Sequence, residues 1–136
     1  MKQELAQIAL LVHDYDEAIA FYTQQLNFRV LEDTKMSEDK RWVVLTPAGS
    51  NGCKLLLARA SNAEQSSRVG NQTGGRVFLF LYTDDLRRDH EQLVLNKVRI
   101  VREPSQENFG SVLVFADLYG NLFDLIEPSK EVQAVL

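Results

Sequence analysis

Apolar positions along this chain recur with two periods, and the two periods follow one another in the same order twice. Leu5–Val12 is a short apolar run with Gln7 near its start, which predicts a strand. Tyr15, Ala18 or Ile19, Tyr22 and Leu26 then recur at three- and four-residue spacing, the stripe of a helix packed on one side. Asp14 can cap that helix, Glu17 stands where it completes a capping box, and Asn27 suits a left-handed stop. Phe28–Asp33, Arg41–Pro47 and Cys53–Ala58 follow as strands, separated by the polar loop Thr34–Lys40 and the turn Ala48–Gly52.

After a polar connector, Arg59–Gly75, with a short helical turn expected around Ala63–Val69, the order repeats. Arg76–Tyr82 is a strand with almost no alternation, which predicts burial on both faces. A helix starts at Asp84-Asp85 and runs through Asn96, with Leu86, His90 and Leu93 on one stripe. Val98–Arg102 is a strand and Glu103–Phe109 a loop holding Pro104. Val112–Phe115 and Leu122–Ile126 are strands joined at the turn cluster Asp117–Asn121, where Gly120 can take a positive φ. Ser129–Leu136 is a tail. The order is therefore β-α-β-β-β, connector, β-α-β-β-β. Asp14 matches Asp85, Phe28 matches Val98 and Gly52 matches Gly120, at offsets of 71, 70 and 68 residues. A repeated unit of this size predicts two modules, about residues 5–58 and 76–128, within a single domain spanning 1–136.

The last strand carries the first sign of function. Asp124 interrupts the apolar run Leu122–Ile126, and a carboxylate there has to be hydrogen-bonded, paired, metal-bound or turned to a wet cavity. Composition adds exclusions. Fifteen Lys and Arg against 19 Asp and Glu leave a net charge of −4, which argues against a nucleic-acid surface. The balance is too small to choose a ligand's sign. Cys53 is the sole cysteine, so no disulfide forms within the chain and the cytoplasm is the default compartment. No secretory signal is expected at the start, and no apolar run approaches the roughly 20 residues of a membrane span.

The segments IALLVHDYDEAIAFYTQQLNFRV and VFADLYGNLFDLIEP, with the repeat, resemble the vicinal oxygen chelate superfamily, which includes glyoxalase I, bleomycin-resistance proteins and extradiol dioxygenases. The resemblance spans roughly Leu5–Pro128. It implies an α+β fold in which two βαβββ modules form a curved mixed sheet around a cleft, and a homodimer.

In metal-dependent members each module supplies ligands from its first and last strands. Carried over, those positions are Gln7, Leu56, Phe78 and Asp124. Leu56 and Phe78 cannot ligate, and Gln7 with Asp124 falls short of the three protein ligands of a catalytic site. The expectation is a glyoxalase-like protein that binds a small organic molecule in the cleft without a tightly bound metal, of sequestration type or with an unassigned activity. Gln7 and Asp124 are the expected polar contacts, and Trp42, Phe78, Phe80 and Tyr82 the apolar walls. No catalytic residue is assigned. One alternative is a metal-dependent lyase or isomerase of the glyoxalase I type, holding a divalent metal through Gln7 and Asp124. Another is a dimeric scaffold with a vestigial cleft.

Overall fold

The first half of the pattern becomes a four-stranded sheet with one helix. Strand β1 (Gln7–Val12) leads into α1 (Tyr15–Ala20), which continues as a π-helical turn over Phe21–Gln25. Strands β2 (Arg29–Lys35), β3 (Arg41–Thr46) and β4 (Lys54–Arg59) follow, then a connector carrying the short helix α2 (Ala63–Arg68). The second half is β5 (Val77–Tyr82), α3 (Leu86–Leu95), β6 (Arg99–Glu107), β7 (Gly110–Ala116) and β8 (Leu122–Pro128). The computed structural model describes residues 1–130, so the predicted tail beyond Lys130 lies outside the described residues. The chain divides into two compact units after Gly70.

The units share one topology. Strand order is β1-β4-β3-β2 in the first and β5-β8-β7-β6 in the second. In each, the first strand runs parallel to the last and the remaining pairs are antiparallel. Helix entry is set locally. The Asp14 carboxylate accepts the Glu17 N–H at 2.7 Å, and Asp85 accepts the Arg88 N–H at 3.0 Å. Helix exit is equally alike. Asn27 takes φ 61° and Lys97 φ 60°, and the next amide turns back to the helix, Phe28 N–H to Tyr22 O at 2.8 Å and Val98 N–H to Leu93 O at 2.9 Å.

Alternation along the strands decides what each helix covers. In the first unit Leu10, Val12, Val43, Leu45 and Leu57 are sealed from solvent, as are Ala18 and Tyr22 of the helical segment. Tyr22 meets Phe21 and Phe28 edge to face, at 5.4 and 5.3 Å between ring centres. In the second unit Leu113, Phe115, Phe123 and Leu125 are buried together with Leu86 and Leu93 of α3, and Phe115 stacks on Phe123 at 5.0 Å. Burying a side chain of this size contributes about 1.5–3 kcal/mol, so these residues dominate the stability of each unit.

Three expectations change. The helix predicted through Leu26 widens into a π turn after Ala20. The loop predicted at Glu103–Phe109 is mostly strand, since β6 runs to Glu107 with Pro104 inside it. Proline is tolerated there because β6 is an edge strand and its pairing with β7 slips between Arg102 and Ser105. Finally, β5 is not buried on both faces: Phe80 is 63% exposed and Tyr82 57%. Its near-continuous apolar sequence reflects two different surfaces, one packed and one open.

Irregularities in the ladders repeat as well. Pairing of β2 with β3 slips between Val30 and Glu32, and pairing of β6 with β7 slips between Ile100 and Arg102. These sites are 70 residues apart, the same spacing as Asn27 and Lys97. An extra residue in one strand turns the following side chain to the other face, so the slips matter for what each open face displays.

Candidate functional site

With one face of each sheet covered by its helix, the other face is available for chemistry. Register places the residues on it. In the second unit three rows cross the sheet from β5 to β6: Val77–Leu122–Ala116–Arg99, Phe80–Asp124–Val114–Arg102 and Tyr82–Ile126–Val112–Ser105. Val114 and Ile126 are buried within the face, while Phe80 and Tyr82 stand exposed at its β5 edge. Asp124 lies between Phe80 and Val114 and is half-buried.

The electrostatics of Asp124 follow from that position. Partial burial among apolar neighbours disfavours the charged form and raises its pKa, and the positive charge of Arg102 opposes the rise. Among the described residues none donates a hydrogen bond to it. The carboxylate thus carries a desolvation penalty that no hydrogen bond from a described residue offsets. A carboxylate kept for stability would be capped or paired.

In the first unit the equivalent rows include Ala9–Leu56–Val44–Glu32, so Leu56 stands where the second unit has Asp124. Gln7 lies opposite Lys54 and shares the Ala9 and Leu11 face by alternation. Trp42 lies opposite Thr34, two residues from Val44 and on the same side, and is half-buried. Gln7 and Trp42 are therefore on the open face of the first unit's sheet.

Phe80, Tyr82 and Asp124 are brought together on the open face of the second. Phe78 is placed differently from the others. Pairing of β5 with β8 slips between Val77 and Leu79, so Phe78 is the extra residue, and Val77 takes the register position opposite Leu122 that Gln7 takes opposite Lys54. Val77 has no donor atom either, so the register correction supplies no metal ligand.

The donor set can be tested on this register. The positions aligned with the ligand strands are Gln7, Leu56, Val77 or Phe78, and Asp124, and only two of them carry an oxygen able to ligate. Among the described residues no three of His, Cys, Asp and Glu gather as a metal site. Two such side chains are fewer than the three protein ligands that a catalytic metal site usually has.

Arg99 and Arg102 are residues that the linear pattern did not bring to this face. Plain alternation puts positions three apart on opposite sides, and the slip at Val101 puts both on the same side as Asp124. Two cavities lie elsewhere. One, of about 440 Å³, is lined by Leu86, His90, Pro104, Ser111 and Glu127, and there Glu127 accepts the Leu86 N–H at 2.8 Å at the start of α3. The other, of about 460 Å³, surrounds Arg41, which is held by Asp16 at 2.8 Å and Asp33 at 2.6 Å. Neither contains any of the six expected binding residues.

Comparison with known proteins gives this geometry a context. An uncharacterized protein from Shewanella frigidimarina is 57% identical over 128 residues, 93% of this chain and 95% of that protein. The crystal structure of UcmS2 superposes with a TM-score of 0.81 at 27% identity, covering 93% of this chain and 99% of that one. TnmS3, an antibiotic binding protein from Streptomyces sp. CB03234, superposes with a TM-score of 0.77 at 25% identity, covering 95% of this chain and 98% of that one. The sequence profile of one family matches residues 4–125, and with the repeated βαβββ topology it establishes that the chain belongs to the Glyoxalase/Bleomycin resistance protein/Dioxygenase superfamily.

Proposed function

We propose that this protein binds a small, largely apolar organic molecule, with Phe80 and Tyr82 as flat contacts and Asp124 as the polar anchor. The observation that carries the reading is the exposed aromatic pair beside a half-buried, uncapped carboxylate on the face that α3 leaves open. Large aromatic side chains left in water beside a carboxylate that pays a desolvation penalty are poor for stability and good for recognition. Gln7 and Trp42 are proposed as ligand contacts on the open face of the first unit's own sheet, and Phe78 as a contact of the second unit at the β5 slip. The similarity to an antibiotic binding protein favours sequestration over turnover. Binding is proposed to need no tightly held metal, on the strength of the donor set, and the homodimer implied by the family resemblance and the cytoplasmic location suggested by the single Cys53 are part of the same proposal.

The test is a thermal-unfolding screen of the chelator-treated full chain against apolar organic compounds and antibiotics. A compound at about 100 times its Kd adds roughly 2.7 kcal/mol, a shift of several degrees. The expected result is a hit whose shift is lost in Phe80→Ala and Asp124→Ala. Hits that stabilise these variants as much as the parent chain would reject the site. A shift with Ni²⁺, Zn²⁺, Mn²⁺, Fe²⁺ or Co²⁺ alone, lost in Asp124→Ala, would reject the metal-free reading. Light scattering at several concentrations tests the dimer, which a concentration-independent monomer mass would reject.

A further inference from the structure

The chain as a whole is acidic, but the open face of the second sheet is not. Its three central rows carry Arg99 and Arg102 against one carboxylate, Asp124. Glu107 lies beyond them at the end of β6, opposite Gly110, where its carboxylate accepts the Ser105 hydroxyl at 3.2 Å. Among the described residues no hydrogen bond or ion pair occupies either guanidinium. Arg102 is in the same row as Asp124, two strands away, which at the usual strand spacing is about 10 Å between backbones. Between them lies Val114, buried and apolar. The first unit keeps a basic residue at the position of Arg99, Arg29 opposite Thr46, but has Glu32 at the position of Arg102, so the pair of guanidiniums belongs to the second unit alone.

We infer that the site recognises an acidic or strongly accepting group on its ligand, with Arg102 as the specificity residue and Arg99 as its support, the bulge at Val101 being the device that turns both onto the open face. This deepens the reading above and rests on it. The ligand class is a flat apolar body bearing an anionic oxygen about one strand-pair's width from a hydrogen-bond donor that meets Asp124. The spacing suits a molecule of two or three fused or linked rings lying across Val114 from β5 to β6. An unpaired guanidinium presents its planar donors to such an oxygen, a geometry that lysine does not reproduce. The net charge of −4 does not oppose this, because charges beyond about 8 Å are largely screened at physiological salt and the local arrangement decides.

Two fluorescent dyes isolate the contribution of the acidic group: anilinonaphthalene sulfonate, and N-phenylnaphthylamine, the same ring system without the sulfonate. Both are titrated into the full chain, into Arg102→Ala, Arg102→Lys, Phe80→Ala, and into Arg68→Ala as a control in α2. The sulfonate dye should bind more tightly than its parent. Arg102→Ala should weaken the sulfonate dye about tenfold and leave the parent within about twofold, since a hydrogen bond to a charged group is the interaction removed. Arg102→Lys should restore part of the loss, and Arg68→Ala should change neither dye. Equal affinity for the two dyes, or an equal loss of both in Arg102→Ala, overturns the inference and leaves Arg102 as a charge that protects an edge strand. Dye binding that survives Phe80→Ala unchanged, or no binding of either dye, overturns the site itself and this inference with it.

Discussion

Replacing Asp117 by alanine tests how the turn that joins the last two strands is held. Asp117 is 5% exposed and Asn121 3%. One Asp117 carboxylate oxygen accepts the Tyr119 and Asn121 backbone N–H groups, each at 2.9 Å. The other accepts the Asn121 side-chain amide at 2.8 Å. Two further bonds are backbone only, Asp117 N–H to Asn121 O at 2.9 Å and Gly120 N–H to Asp117 O at 3.1 Å, and these survive the substitution.

Alanine strands the Asn121 N–H and side-chain amide in a buried place and the Tyr119 N–H in a half-buried one. A buried donor left unmade costs about 1–3 kcal/mol. The total expected is about 3–4 kcal/mol, with Tyr119 contributing least because water reaches it. Against a domain stability of about 5–15 kcal/mol, the protein remains folded but loses roughly 10 °C in Tm.

Asp117→Asn keeps an acceptor for the two backbone groups and sets one amide NH₂ against another, so it should cost about half as much. Urea and thermal melts followed by circular dichroism measure both variants. A loss below about 1 kcal/mol for alanine, or equal losses for alanine and asparagine, would refute the view that this side chain holds the turn.

Gly110 takes φ +141°, and a Cβ there would run into the Glu127 carbonyl and the Ser129 amide, so Gly110→Ala should destabilise by at least about 3 kcal/mol in the same melts, and a neutral result would refute the register of β7 on β8. Asp124 is charged at a desolvated place, so Asp124→Asn should raise stability at neutral pH. Its folded pKa is raised, so the folded state holds the proton to higher pH than the unfolded chain does. Wild-type stability therefore falls as pH rises through the carboxylate range, and the advantage of asparagine should fade as pH drops below the ordinary aspartate value; a pH series of melts in which it persists would refute the desolvation cause. Asp14→Ala removes the cap on Glu17 N–H and should cost about 1 kcal/mol, with Asp14→Ser recovering most of it in a urea titration.

Most elements were legible because their causes are local. Asp14 and Asp85 announce helices by capping chemistry, Asn27 announces an exit, and the periods of the apolar residues announce strand and helix between them. Where the reading slipped, non-local pairing was responsible. Glu103–Glu107 looks like a loop because it is polar and holds Pro104, yet one edge of β7 was available and the segment pairs there. Lys97 carries no sign of its left-handed conformation in its residue type; it is forced by Val98 returning to Leu93. The continuous apolar run of β5 predicted burial, and the structure leaves Phe80 and Tyr82 largely in water.

The candidate site divides the same way. Asp124, Phe80 and Tyr82 were visible as a misplaced carboxylate near aromatic residues, and the repeat supplied the register that aligns Gln7 with the second module. Phe78, Arg99 and Arg102 were not placed by counting, because each sits at or just before or after a slip in pairing, and alternation fails by one residue at every slip.

Local chemistry, caps and periodicity determined the order of elements and the repeat from the sequence alone, and two segments carried the resemblance to the family. Which side chains share a face was decided only in the folded sheets. A bulge depends on how one strand settles against its neighbour, an energy spread over the whole ladder rather than written in the residue that is displaced.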